Sequence, residues 1–546
     1  MKKLIYLNLL ENMNRLSYFI LLFFVCIGFS QDNSFYGAFE SSGVYYSQNE
    51  SKDFEKKFKS NNYLNINYLI GNKWKFDLQL ESYLPGRLQN FSENLQDTYL
   101  STISINYKSN KFDFSVGSIY EQFGSGLILR TWEDRQLGIN NSIWGFRTKY
   151  ESDNINFKVL AGYQKKGREI STGKIIGIDS EILFTENFQF GLSYVGRLEN
   201  ITYDFGDFTS LFSSRLDYNS DSFYINYEYI SKSKDGIVQF GNVSENFVKP
   251  GTAHSLNFGI YKPGFGLDVT FRRLENMGYF SDRFEANGDF LETSINYLPA
   301  LTKQHDYLLS NINVYEAQPY VSFQDPKLMK AGEIGFQIDL YYTFKKNTTL
   351  GGKYGTKLSF NTSIWNNLTG DFSYSDQNYS ASFFDFGEKY FSEQSVEVSK
   401  KVSKNYNYLL LLVNRYYNKR LVEESTGQIN SQIIVIDNTL KFNNKSSIKF
   451  DIQHLFNNDY DKNWFGYGLE YNLNYNLSIY YSNIKNYQNS EKGNPSYYSA
   501  GISYSKKASK IIASYGKQRG GLICYGGICR YVPEFKGFSI SINTTF

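Results

Sequence analysis

The last ten residues, Gly537 to Phe546, put Phe538, Ile540, Ile542 and Phe546 on one face of an extended chain and Ser539, Ser541, Asn543 and Thr545 on the other. Successive side chains of a strand point to opposite faces, so a run of this kind has a greasy side and a wet side. The same two-residue period recurs as pairs of runs across short polar turns. Tyr63–Leu69 and Trp74–Glu81 flank Gly71-Asn72, and the design returns around 108–111, 151–154, Pro263-Gly264 and 443–445. Alternating runs joined by tight turns are antiparallel hairpins. Longer stretches separate them, among them 84–97, 121–141, 231–253, 275–289 and 362–391.

Composition then selects the solvent that meets the greasy face. Aromatic residues make up 18% of the chain, with 48 Tyr and 46 Phe, yet the chain has only 8 Pro and a mean hydropathy of −0.44. Disordered chains are poor in aromatics, and soluble domains of this length rarely use so much Tyr. A membrane barrel reconciles the two, because alternate residues face lipid and water and the average stays low while the wall is apolar. The expected fold is therefore all-β: a single large antiparallel transmembrane β-barrel of about 26 strands, within a range of about 22 to 28, with short periplasmic turns and long outer loops. In this count 362–391 is the least regular stretch, and 297–307 is the one periplasmic turn that is clearly too long. The net charge of +3 gives no strong attraction to nucleic acid.

Residues 1–30 read as a secretory signal, with Lys2, Lys3 and Arg15 ahead of an apolar run from Leu16 to Phe29 and a small residue, Ser30, at the cleavage point. Cys26 lacks the small residue expected before a lipidated cysteine. Residues 31–546 are then the barrel, which begins so soon after the signal that an amino-terminal plug domain is not expected.

Three places could carry chemistry. The segment Tyr120–Asn140 mixes Leu127, Ile128, Leu129 and Trp132 with Arg130, Glu133, Asp134 and Arg135. That mixture suits a loop folded into the lumen, either as a constriction braced on wall residues such as Arg147 or as a selectivity site with Arg130 and Arg135 facing Glu133 and Asp134 across the pore. His305 stands beside Asp306, but neighbours in an extended chain point apart, so a structural or docking turn is expected and not a catalytic set. His254 and His454 sit singly on strands, facing the lumen or the interface. With three His in all, neither a metal site, a cofactor nor catalytic activity is expected. Cys524 and Cys529 bracket Gly526-Gly527 and are expected to form a disulfide that staples an exposed loop.

The run Tyr120-Glu-Gln-Phe-Gly to Glu133-Asp-Arg-Gln-Leu-Gly138, the stretch Tyr297-Leu-Pro-Ala-Leu-Thr-Lys-Gln-His305 and the tail Gly516-Lys-Gln-Arg-Gly-Gly with its two cysteines together resemble an uncharacterised family of Bacteroidetes outer-membrane β-barrels. The terminal Phe546 likewise resembles the closing residue that the barrel-assembly machinery reads. The resemblance implies outer-membrane lipid as surroundings and that machinery as a partner in biogenesis. The function expected is a channel or transport pore for a solute or polymer. The alternative is a non-conducting scaffold of a secretion or assembly complex, with a secretion or surface protein as partner.

Overall fold

The structure, a computed structural model, describes residues 33–49, 57–200, 204–239, 242–283, 292–442, 445–457, 462–490, 493–525 and 527–546. The expected signal segment 1–30 with Cys26 lies outside them. Twenty-four strands form one antiparallel sheet. The first, Ser34–Asn49, pairs on one side with Phe58–Ile70 and on the other with the last, Phe535–Thr545. Tyr45 lies opposite Phe538 and Ala38 opposite Thr545, so the sheet closes on itself and leaves no free edge. Phe546 completes the seam, with its backbone bonded to Gly37 in both directions at 2.8 and 3.0 Å.

Connections at the end where the first strand begins and the last one finishes are short, except 345–355 between the strands Gly332–Phe344 and Thr356–Ser373. Gly71 and Gly264 hold two of these turns at φ +55° and +83°, a region a Cβ disfavours. At the other end the chain makes longer excursions. Two stretches expected there as loops are instead tall hairpins that carry the strand pattern beyond the length a membrane needs. They are Phe223–Gln239 with Asn242–Lys262, and Thr356–Ser373 with Asn378–Lys401. About ten residues suffice to span a membrane, and these strands run to 17–24 residues.

The count of twenty-four is two below the figure of about 26 and inside its range. The difference has one source. After the strand Phe265–Glu275 the chain does not turn straight back. Its described parts before the strand Gly332–Phe344, residues 276–283 and 292–331, fold inward. The expected periplasmic turn 297–307 belongs to this inward segment, and its neighbours are not wall strands.

Alternation sorts the wall as the pattern requires. Along Glu169–Thr185, Ile176 and Ile178 are exposed on the outside, while Ile175 and Asp179 on either side of them are buried on the inside. The outer face carries an aromatic girdle at the short-turn end. Trp74 packs on Tyr107, Phe112 on Tyr150, Tyr218 on Phe223 and Tyr342 on Phe344, with ring centroids 4.7 to 5.2 Å apart. Near the other end, His254 lies against Tyr229 and Phe383, and His454 against Phe456 and Tyr487. Both histidines therefore sit among aromatics such as the exposed Phe383 and Phe456. No helix among the described residues is long and apolar enough to cross a membrane; a barrel crosses with strands.

Candidate functional site: a lumen filled by its own chain

A sheet of eight strands leaves room only for its own side chains, whereas twenty-four enclose a wide interior. Here that interior is occupied by two inward segments. One is 120–142, between the strands Phe112–Ile119 and Ile143–Glu151; the other, 276–331, is described at 276–283 and 292–331.

The first folds as two small hairpins, with Gln122-Phe123 pairing Leu129-Arg130 and Glu133-Asp134 pairing Ile139-Asn140. Its apolar residues Phe123, Leu127, Ile128 and Leu129 are buried. They meet a ring of inward wall residues on successive strands: Ile143, Leu160, Ile175, Val195, Leu211, Ile230, Ala253 and Leu274. Val195 is directly opposite Leu211, Ile230 opposite Ala253 and Ala253 opposite Leu274, so the ring is a continuous apolar seat. The second segment joins the first through its backbone. Arg130 N–H donates to the Ile295 carbonyl at 2.9 Å, and Tyr297 N–H to Gly126 at 3.0 Å.

The second segment then crosses to the far wall. Leu309 and Ile312 pack among Leu411, Val413, Ile433, Val435 and Leu455. Tyr315 stacks on Phe391 at 5.1 Å within a group that includes Trp365 and Tyr417. Near its end, Val321 and Phe323 pack with Ile237, Phe247 and Tyr379 of the tall hairpins.

Buried arginine–carboxylate contacts fix this docking. Arg272 on the wall reaches Glu333 at 2.7 Å and the Pro299 carbonyl at 2.7 Å. Glu333 also accepts from the Tyr315 hydroxyl at 2.6 Å and from Gln318 N–H at 2.7 Å. Arg415 holds Glu393 at 2.6 Å and donates to the Ile312 carbonyl at 2.5 Å, while His305 lies 3.3 Å from the same Glu393. Arg283, from the inward segment, pairs with Glu199 and Asp235 of the wall, and Asp235 also binds Arg197 at 3.2 Å. His305 thus faces a wall carboxylate inside the lumen, and its partner is Glu393 and not Asp306.

The other residues singled out by the sequence take distinct places. Arg135 bridges Glu40 at 2.9 Å and Glu133 at 3.2 Å, donates to the Gln79 amide oxygen at 3.3 Å, and lies 4.8 Å over the Tyr63 ring. Arg130 stacks 4.0 Å over Tyr297. Asp134 accepts from the N–H groups of Gln136 and Leu137, both at 2.8 Å, so it caps a turn. The arginines and acids of this loop are therefore not opposed across a gap: Glu133 and Arg135 pair within one turn. Arg147 binds Asp113 at 2.7 Å and Glu121 at 3.3 Å.

Glu121 is the residue sequence reasoning passed over. It gathers Arg147, Lys149 at 2.9 Å and Lys158 at 3.4 Å under the inward hairpins. Its signal was faint: inward positions 147, 149 and 158 of adjacent strands are all basic, which needs an acid from elsewhere. Replacing Glu121 by alanine should lower the stability of the folded protein by roughly 1.5–3 kcal/mol, since Arg147 and Lys158 keep Asp113 and Asp179. The midpoint of urea unfolding in lipid vesicles measures this, and an unchanged midpoint would show that the hub carries no weight.

On the inward segment, outside the spanning strands, burial shifts a carboxyl and an ammonium as well as several tyrosines. Burial pushes the Glu316 carboxyl up to about 7. It holds the Lys330 ammonium below the usual lysine value, although Glu424 and Glu316 pull the other way.

The cysteines also differ from the expected exposed loop. Cys524 and Cys529 are bonded across the hairpin Gly521–Tyr525 with Ile528–Val532, their Cα atoms 4.0 Å apart. This hairpin lies over the inward segment. Gly527 accepts from Ala300 N–H at 2.9 Å, Cys529 is buried with its sulfur 3.8 Å from the Tyr315 carbonyl, and Arg519 donates to Asn311 at 3.0 Å. Exchanging both cysteines for serine removes a ring whose entropy is worth about 2 kcal/mol at most. Faster proteolysis between 297 and 315 with the barrel still folded is the expected result. Cleavage at the original rate would detach the hairpin from any role in holding the segment.

A closed antiparallel sheet, apolar outside and filled inside by its own chain, defines a plugged β-barrel. The chain belongs to a family of unknown function, DUF6029, which matches residues 13–546. No curated protein sequence matches it. Among solved structures it is similar to the P pilus usher (PapC) translocation pore, at 8% identity over 94% of this chain and 99% of that one, with a TM-score of 0.45. It is also similar to a BenF-like porin from Pseudomonas fluorescens Pf-5, at 8% identity over 95% and 100%, TM-score 0.37. A third is the siderophore receptor PirA from Pseudomonas aeruginosa, at 7% identity over 94% and 80%, TM-score 0.40.

Proposed function

We propose that this chain is an outer-membrane β-barrel, of a Bacteroidetes cell as its sequence resemblance implies, that is closed at rest and passes a solute or polymer when its inward segment shifts. The outward alternation and the aromatic girdle support the membrane placement. Removal of residues 1–30 and reading of Phe546 by the assembly machinery belong to the same proposal, as does the absence of enzymatic chemistry.

The observation that carries the gating is how the lumen is closed. The segment 276–331 docks through buried wall contacts of Arg272, Arg283 and Arg415. Buried ion pairs add little net stability over apolar packing but set one register, which suits a contact made to be remade. Ejecting the whole segment would expose several apolar seats at about 1.5–3 kcal/mol per side chain. Opening therefore means a local shift driven by a bound solute or partner.

Those same seats favour a second reading, a permanently sealed scaffold for a secretion or surface protein. Planar-bilayer recording separates the two. The passage reading expects the wild-type protein to be nearly silent and variants with a loosened segment to conduct; inserted protein that stays silent in both forms would leave the scaffold.

A further inference from the structure

The inward segments do not fill the lumen evenly. Along the strands Ser34–Asn49, Phe58–Ile70, Trp74–Ser82 and Thr98–Lys108 there is no apolar seat at the short-turn end, and the inward side chains are small and polar: Asn65, Asn67, Gln79, Thr102 and Ser104. They border a cavity of about 840 Å³ that reaches down to Ala508 and Phe546. A second cavity of about 380 Å³ shares Lys75, Asp77, Ser104 and Tyr120 with it, so one wet vestibule runs along this wall.

The vestibule ends at Glu133 and Arg135. On their far side these two residues also line a void of about 10 Å³, together with Tyr63, Glu81, Gly138 and Lys165. A space of that size holds about one water molecule. The Arg135–Glu133 pair thus stands between the wide vestibule and this small void, the throat of the proposal below. Arg135 is held there by side chains, through Glu40, Glu133 and Gln79 and over the Tyr63 ring, and Glu40 is partly exposed.

We propose that Arg135 gates a narrow passage for small cations along this wall, used while the segment 276–331 stays in place. The inference rests on the passage reading above and deepens it. When the guanidinium swings aside, Glu40 and Glu133 lose their counterion and face the path. Beyond them stands Glu81, buried and bonded to the Tyr83 and Tyr99 hydroxyls at 2.7 and 2.8 Å. Lys165 is the cation left in the throat. Carboxylates that line a constriction select cations.

The test is recording of the full-length protein in planar bilayers under a potassium chloride gradient, with insertion checked by heat-dependent gel mobility. Wild type should show small openings with a cation-biased reversal potential. Arg135→Ala should raise conductance severalfold and keep the bias, and Glu133→Gln should shift the reversal potential toward zero. Arg135→Ala openings no larger than wild type, or an anion bias, would overturn the proposal; should Arg135→Ala fail to insert, an unchanged reversal potential in Glu133→Gln does the same. Glu333→Ala, which loosens the inward segment itself, separates the two levels. If it alone conducts, the wall passage is wrong and the gated barrel stands; if all three proteins are silent, both fall.

Discussion

Glu333→Ala is expected to turn a closed barrel into a wide, fluctuating pore. The carboxylate has no exposure and answers three groups at once: the Arg272 guanidinium, the Tyr315 hydroxyl and the Gln318 N–H. Two of these belong to the inward segment, so the loss falls on the docking and not on the wall, whose strands Phe265–Glu275 and Gly332–Phe344 remain laddered from end to end. Removing one partner of a buried pair costs about 3–5 kcal/mol, because the other charge stays buried and unpaired. That is enough to shift a docked segment toward a mixture of docked and loose. Conductance and the size cut-off for polyethylene glycols should both rise, and protease should cut within 276–331. The double change Arg272→Met with Glu333→Leu should recover only the part of the loss that comes from the unpaired Arg272 charge, because the Tyr315 hydroxyl and the Gln318 N–H still lack their acceptor. Wild-type conductance and protease resistance in inserted Glu333→Ala would mean that the apolar seats alone hold the segment, and the scaffold reading would take over.

The second large effect concerns the wall. Ile540→Arg should lower the folding free energy in lipid by about 2–4 kcal/mol if the position lies near the midplane, while Ser541→Arg should be tolerated. The geometry behind the contrast is the seam. Ile540 lies opposite Gly43 and Ala513, on the same face as the exposed Phe538. Ser541 lies opposite Ser42 and Ile512 and points inward. Refolding yields in vesicles measure the difference, and equal losses for the two variants would contradict the register.

The wall was legible because its information is local. Each strand states its own inside and outside in alternate residues, and Gly71-Asn72 or Pro263-Gly264 mark the turns without reference to anything distant. The filling of the lumen was not, because its partners are far apart in the chain. Arg272 meets Glu333 across the whole inward segment, Arg283 meets Glu199, and His305 meets Glu393. None of these pairs leaves a spacing that could be read. One signal was available: three of the chain's eight prolines, Pro299, Pro319 and Pro326, fall within this segment. Proline removes a ladder donor and is confined to edges or bulges, so a closed wall could not easily have used them. The inward fold of 120–142 was visible in its mixture of Leu127–Leu129 with charge. The tall hairpins were mistaken for loops because their far ends, such as 231–239, lose the clean alternation.

The cystine hairpin at 521–532 has a consequence for the order of assembly. It is the last piece of chain before the strand Phe535–Thr545 that meets the first strand at the seam, and it rests on Ala300 and Tyr315. Those two residues must already be inside when the hairpin settles, and the hairpin must settle where the final strand can still reach its partner. Filling the vessel and welding its side are in that sense a single operation. A barrel welded empty would have to take in 276–331 through its mouth, past a lid already in place.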